Sequence, residues 1–348
     1  MDFVGIDLHK TSSQICILSE GGEMTERRIK STRASFDEVF AGKPPARILV
    51  ESSTESEWAA QHLEGLGHEV IVADPNFAPM YATRDKKIKT DKRDARALCE
   101  ACRLGAYHHA HRTSERQRRV RSQLLVRSTL VRTRSKYISL IGSLARREGC
   151  RIATGGSNNF GARVEAANLP AHVMQVIAPL LESLKMLNRQ IAEADDGLEQ
   201  IVREDEVVRR LCTAPGVGPV TATTFAATID DATRFGAAKQ VRAYLGLVPR
   251  EYSSGERQRK GRISKAGGGR ARTLLVEAAW ALLRWRNAKN EALYDWAMRI
   301  AARRGRARAC AALVRKLAGI LYAMWRDGTE FDPQALKRGI AEPAAAAA

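Results

Sequence analysis

The chain has 348 residues, with 57 Lys+Arg against 39 Asp+Glu and a formal net charge of +18. That length predicts two domains with a helical connector, and the charge predicts a polyanionic partner, because neutralised phosphates release counterions. No apolar run reaches the roughly 20 residues of a membrane-crossing helix, no segment joins a large apolar face to a basic rim, and Met1-Asp2-Phe3-Val4 enters a strand without an export-signal charge pattern, so the expectation is a cytoplasmic protein with no membrane partner.

Residues 3–8 and 14–19 alternate between turn residues and read as two strands, with a third over 24–31. Ser35 to Ala41 reads as a short helix, Arg47 to Glu51 as a strand, Ser56 to Leu66 as a helix and Glu69 to Ala73 as a strand. Asp74-Pro75-Asn76 is a turn into further helices. Strands giving way to alternating helix and strand imply a mixed sheet flanked by helices. The expectation is an α/β domain over residues 1–108.

Four acids stand out in this basic chain. Asp7 ends the apolar run Phe3-Val4-Gly5-Ile6, and Glu51 ends Ile48-Leu49-Val50. Asp91 and Asp94 lie in the helical segment Lys89-Thr90-Asp91-Lys92-Arg93-Asp94-Ala95-Arg96. Carboxylates at i and i+3 share a helix face. Two strand-end acids facing such a pair would make an all-oxygen pocket for a hard divalent cation such as Mg²⁺ or Mn²⁺. Metal in a basic protein points to phosphodiester chemistry. Glu55, Glu57 and Asp85 lie nearby and read as helix caps or solvent-facing acids. His9 and Lys10 follow Asp7 and could reach a phosphate, with a structural role equally open.

The cysteines Cys16, Cys99, Cys102, Cys150, Cys212 and Cys310 are scattered and read as reduced thiols. Cys99-x-x-Cys102 precedes His108, His109 and His111, a pattern that zinc could use. The loop is short and there is no second Cys pair. A buried thiol pair with surface histidines is the better account.

From about Arg112 to Glu148, apolar residues recur at helical spacing: Val120, Leu124, Leu125, Leu130, Val131, Ile138, Leu140, Ile141 and Leu144. A second amphipathic stretch runs from about Pro170 to Arg203, after the linker Thr154-Gly155-Gly156-Ser157-Asn158-Asn159. Two long helices and a loop predict an antiparallel coiled-coil arm over 109–205. It is either a spacer or a dimerisation arm with a basic, nucleic-acid-facing side.

A third, mostly helical domain is expected over 206–330. Pro215-Gly216-Val217-Gly218-Pro219 reads as a helix-hairpin-helix, in which Gly216 and Gly218 would let backbone N–H groups approach a phosphate. Residues 250–272 are dense in Arg, Lys, Ser and Gly. Thr273 to Arg286 reads as a helix with Trp280 and Trp285 in its packing, and a helix pair fills 288–326. The alanine-rich tail, 331–348, reads as disordered.

Phe3-Val4-Gly5-Ile6-Asp7-Leu8-His9-Lys10 resembles the opening strand of a RuvC-like, ribonuclease H-like nuclease domain. Lys89-Thr90-Asp91-x-x-Asp94-Ala95 resembles its closing helix. Gly246-Leu247-Val248-Pro249, Ser253-Ser254-Gly255 and Gly261-Arg262-Ile263-Ser264-Lys265 resemble the C-terminal domain of one transposase family. In this order, over residues 3–327, the motifs are similar to the insertion-sequence one-ten family of DEDD transposases, which includes the Piv DNA invertase. The resemblance implies a RuvC-like domain that holds divalent metals through Asp7, Glu51, Asp91 and Asp94. It implies a C-terminal serine that attacks DNA and forms a covalent phosphoserine. It also implies a structured bridge RNA as guide, pairing with target and donor DNA. Assembly from homodimer to homotetramer is implied, with active sites combining domains of different protomers, in the nucleoid of a bacterial cytoplasm. Val50-Glu51-Ser52-Ser53 is a looser match than the other acid motifs.

Ser254, directly before Gly255, is the expected nucleophile, with Ser253 as the alternative. A serine hydroxyl needs deprotonation or metal assistance to attack. A phosphoester conserves the broken bond, so rejoining requires no nucleotide. Arg257, Arg259, Lys260, Arg262 and Lys265 crowd Ser254 and would make charge-assisted hydrogen bonds to a phosphate. Alone, Ser-Ser-Gly would be an ordinary turn. Two rival readings stand beside this one. A RuvC-like junction endonuclease would use metal-activated water and form no adduct. A non-enzymatic nucleic-acid-binding protein is disfavoured, because clustered carboxylates without metal repel phosphate.

Overall fold

The computed structural model describes residues 1–82, 90–251 and 260–334. The chain divides into two compact units, Met1–Thr113 and Ser114–Ala348. The first boundary falls five residues beyond the expected 108, and the helices of the expected arm belong to the same unit as the C-terminal helices.

The first unit contains β1 (Phe3–Leu8), β2 (Ser12–Leu18), β3 (Met24–Lys30), α1 (Arg33–Phe40), β4 (Arg47–Glu51), α2 (Ser56–Gly65), β5 (Glu69–Ala73), a 3₁₀ turn at Ala78–Tyr81 and α3 (Asp91–Leu104). The sheet order is β3-β2-β1-β4-β5. β1 to β3 pair antiparallel, while β4 runs parallel to both β1 and β5. Side chains alternate across the sheet, as a period of two demands. Ile48 and Val50 therefore pack with Ile6, Ile15 and Phe36 on one face. Leu49 lies on the other face with Ile71, Leu98 and Cys102. The mixed five-stranded sheet is compatible with a RuvC-like domain.

Gly5 determines how closely α3 lies on β1. A Cβ there would stand 2.2 Å from the Cys99 amide nitrogen and 2.3 Å from the Ala95 carbonyl oxygen. Only a residue without a side chain allows that approach. α3 begins where the Thr90 hydroxyl accepts from the Arg93 amide at 3.3 Å, and it stops at Gly105 in the left-handed region.

The second unit contains α4 (Glu115–Arg147), α5 (Phe160–Glu165), α6 (Ala171–Glu204), α7 (Glu206–Leu211), α8 (Pro219–Ile229), α9 (Ala238–Tyr244), the hairpin strands β6 (Pro249–Glu251) and β7 (Lys260–Ile263), α10 (Gly269–Arg284), α11 (Glu291–Arg304) and α12 (Arg306–Asp327). α4 and α6 run antiparallel. Leu124 packs with Leu198, Arg127 pairs with Asp195, Arg134 bonds Asn188 at 3.1 Å, and Ile141 and Ala145 pack with Val173 and Ile177. Steps of three and four residues along this line keep one face inward. Leu125 and Leu140 stand one step off that line and are 54% and 48% exposed, so they are not seam residues.

The C-terminal helices enclose a core that includes Phe225, Leu275, Leu313, Leu317 and Tyr322. α10 begins four residues before the expected Thr273. Its buried stripe is Leu275, Ala278, Ala279 and Leu282. Trp280 lies beside that stripe and Trp285 at the helix end, 39% and 69% exposed, so neither is part of the packing expected of them. Of the tail, the Phe331 amide donates to the Thr213 hydroxyl at 2.9 Å. Residues 335–348 lie outside the described part. Among the described residues no helix is long and apolar enough to cross a membrane.

Candidate active site

Parallel pairing sets Ile6 opposite Val50, so the next residues, Asp7 and Glu51, emerge side by side at the ends of β1 and β4. The close seat of α3 on Gly5 brings its first turn, with Asp91 and Asp94, to the same end of the sheet. Acids in the first turn also suit the positive end of the helix dipole. Asp7 and Asp94 are buried, at 8% and 7% exposure. Asp91 is half-exposed.

The Asp7 carboxyl is pushed up to about 6. Burial is the largest cause. The neighbouring His9 opposes it, and Asp94, Asp91 and Glu51 push it further up. The three other acids therefore all act on Asp7. His9 Nε2 lies 3.3 Å from Asp7 Oδ2 and 3.5 Å from Asp91 Oδ1. Asp7, His9 and Asp91 each offer a ligand atom, and these atoms lie within 4.8 Å of one another. The Tyr81 hydroxyl donates to Glu51 Oε2. Crowded carboxylates with one imidazole form a donor set suited to a hard divalent cation, which would relieve their mutual repulsion.

Two features here were not assigned from sequence. The sequence leaves His9 open between a phosphate contact and a structural role, and the structure puts it between Asp7 and Asp91. Its signal was the strand-end spacing Asp7-x-His9. Tyr81 had no signal, because its bond to Glu51 spans 30 residues.

The remaining candidates are spread more widely. Lys10 is exposed beside His9. Gly216 is exposed with φ +75°, and an added Cβ would stand 3.1 Å from the Ala278 carbonyl oxygen. Gly218 precedes Pro219 at the start of α8, where no side chain caps the first turn. Arg262 and Lys265 are exposed on and just after β7. Lys260 opens β7. Ser253, Ser254, Gly255, Arg257 and Arg259 lie outside the described residues, as does Asp85. Glu55 accepts from the Trp58 indole at 2.8 Å, and Glu57 pairs with Arg112 at 3.0 Å, so each has a structural partner. Cys99 and Cys102 are buried, and their thiols donate to the Phe3 and Arg47 carbonyls at 3.2 and 3.4 Å. His108 stacks on Phe77. Among the described residues the cysteines and histidines form no zinc-like cluster.

Residues 4–146 match the IS110-type DEDD transposase model. Residues 208–295 match the model described as transposase IS116/IS110/IS902 family. The chain is 33% identical over 337 residues to a "Probable family 20 transposase" of Pseudomonas aeruginosa, covering 95% of this chain and 98% of that one. It is 29% identical to the transposase for insertion sequence element IS1111A of Coxiella burnetii, over 92% of this chain and 88% of the relative. It is also 29% identical to the transposase for insertion sequence element IS1328 of Yersinia enterocolitica, over 94% and 98%. With both models matched in order and a relative aligned almost end to end, the chain belongs to the IS110/IS116/IS902 family of transposases.

Proposed function

We propose that this transposase cuts and rejoins DNA through a phosphoserine formed on Ser254, with Asp7, Glu51, Asp91 and Asp94 as metal ligands and a structured bridge RNA as guide. The observation that carries the metal-dependent part is the raised, acid-crowded Asp7. Such a carboxylate is held at a strain that a bound cation would remove. When bound, Mg²⁺ or Mn²⁺ would polarise a phosphate and stabilise a leaving oxygen. The serine part is supported by the resemblance of Ser253-Ser254-Gly255 and its flanking motifs.

In this reading Ser254 Oγ forms a bond to phosphorus and gives up its proton to a base. The phosphorus–deoxyribose oxygen bond breaks, and the departing oxygen takes up a proton. A hydroxyl from a second DNA end then attacks the phosphoserine, restores a phosphodiester and frees the serine. Lys10, Arg257, Arg259, Lys260, Arg262 and Lys265 would hold phosphates by charge-assisted bonds. The amides around Gly216 and Gly218 would approach one further phosphate. The partners are target and donor DNA, the guide RNA, and further copies of the chain up to a tetramer.

Ser254→Ala tests the covalent step. It should preserve folding and complex formation but remove the protein–DNA band from a denaturing gel, while Ser253→Ala keeps it. The reverse pattern moves the nucleophile to Ser253. Metal-dependent cleavage without any adduct in the unsubstituted protein would replace this reading by that of a RuvC-like nuclease using water.

A further inference from the structure

In the second unit a cavity of about 1200 Å³ opens between the β6–β7 hairpin and the helices α11 and α12. Among the described residues its walls carry Arg262, Lys265, Arg303, Arg304, Arg308 and Arg315, and no acid. Among the described residues, none of these cations has a carboxylate partner. The floor between them is apolar and small, with Ile300, Ala307 and Ala311.

The charge continues behind the wall. Among the described residues, Arg315 Nε is buried without a hydrogen-bond partner, and so is Arg242 Nε. Burial, and then the neighbouring Arg315, hold the Arg242 guanidinium below its usual range. Arg242 lies against Gly319, where an added Cβ would stand 2.4 Å from its Nη2. Burial and Arg242 likewise lower Lys316. Clustered, partly desolvated cations without counterions are destabilising until an anion joins them.

The shape narrows the anion. The cavity is far larger than one phosphate. Arg308 and Arg315 are seven residues apart on α12, two turns on one face, about 10.5 Å along the axis. That span exceeds a single phosphate and suits more than one phosphate along a strand. Among the described residues the lining is cationic and aliphatic, with no aromatic ring for a base to stack on. Contacts would be to the backbone, which carries no sequence information.

We propose that this groove is a sequence-independent binding site for the phosphodiester backbone of a nucleic-acid strand, built wholly within the second unit. The inference deepens the transposase reading and rests on it for the class of polyanion. DNA and RNA offer the same backbone chemistry, and the test separates them.

The test measures equilibrium binding of the full chain to a 20-base-pair DNA duplex, and to single-stranded DNA and RNA of equal length. It is run in chelator across a salt series, so it does not depend on cleavage. Arg304→Gln/Arg308→Gln removes two groove cations. Arg299→Gln/Arg306→Gln removes the same charge from exposed positions outside the groove. Ala311→Glu puts an acid on the floor at an exposed helical position, and carries the test if the double variant does not fold. The groove variant should flatten the slope of log affinity against log salt by about 2 on the duplex. The control should change it by less than about half a unit, and Ala311→Glu should weaken binding about tenfold or more. Loss on DNA alone assigns the groove to DNA, loss on RNA alone assigns it to RNA, and loss on both assigns it to either strand in turn. Equal effects of groove and control variants, or wild-type binding by Ala311→Glu, overturn the proposal. Failure of metal-dependent cleavage with these effects intact would count against the transposase mechanism and leave the groove standing.

Discussion

Asp7→Asn should make the metal-free protein more stable and abolish its activity. The Asp7 carboxyl sits at about 6 in the folded chain against 3.8 for the ordinary group. The folded state therefore binds the extra proton more readily than the unfolded state. Stability from this group is fully present below about pH 4 and is lost as pH rises to about 6. A shift of about two units corresponds to about 3 kcal/mol, an upper figure for this site. Asparagine carries no charge to titrate, so above pH 6 it should escape that loss. In a unit of this size the difference corresponds to a rise in Tm on the order of 10 °C. The assay is thermal unfolding of both proteins in chelator from pH 4 to 8, then with Mg²⁺. The two curves should converge near pH 4 and separate through pH 6. Mg²⁺ at about 100 times its Kd should add roughly 2.7 kcal/mol to the unsubstituted protein and much less to the variant. A lower Tm for Asp7→Asn at pH 7.5 in chelator would refute the reasoning, as would equal Mg²⁺ stabilisation of both proteins.

Other substitutions probe the supports of the site and the long helices. Gly5→Ala should destabilise the first unit by about 1–3 kcal/mol or more, because its Cβ would enter the backbone of α3. It should also erase the Mg²⁺ response of Tm; a wild-type melting curve would show that α3 is free to move away. Tyr81→Phe removes the hydroxyl that orients Glu51 and should lower Mg²⁺ affinity about tenfold or more with little change in Tm, measured by calorimetric titration. Leu124→Ala should cost about 2–4 kcal/mol, because that side chain is buried between helices. Leu140→Ser should change stability by no more than about 0.5 kcal/mol. If its exposed face pairs with another copy, light scattering should show a smaller assembly, whereas an unchanged mass would leave α4 and α6 as a spacer.

The readable parts of this chain are those in which neighbours in sequence decide the outcome. Short apolar runs bounded by turns marked β1, β4 and β5, because a strand covered on both faces is apolar in successive residues. The same rule located Asp7 and Glu51 at strand ends, where parallel pairing lets both emerge together. The segment from Lys89 to Arg96 reads as helical, and α3 starts within it at Asp91. The misjudged residues needed a partner for their meaning. α4 is apolar on more than one side, and only α6 selects Leu124 over Leu125 and Leu140. Trp280 looked like core by its chemistry, but its position one step from Leu275, Ala278 and Ala279 turns it outward.

The same distinction separates the two charged sites. The acid centre is short-range in its logic, since each ligand candidate sits at the terminus of a rigid element. Its assembly then requires one further condition, the bare backbone of Gly5. The basic groove is assembled from the hairpin and from residues some forty positions later, which read only as charge density in one dimension. Neither site is favourable to the fold alone. Asp7 is crowded by acids, and among the described residues Arg242 and Arg315 are neighbours without a counterion. Opposite strains in the two units call for opposite ligands, a cation in the first and a polyanion in the second. On the proposed reading, a protein acting on phosphodiesters with a bound metal would need both, and would hold both at the expense of stability when unliganded.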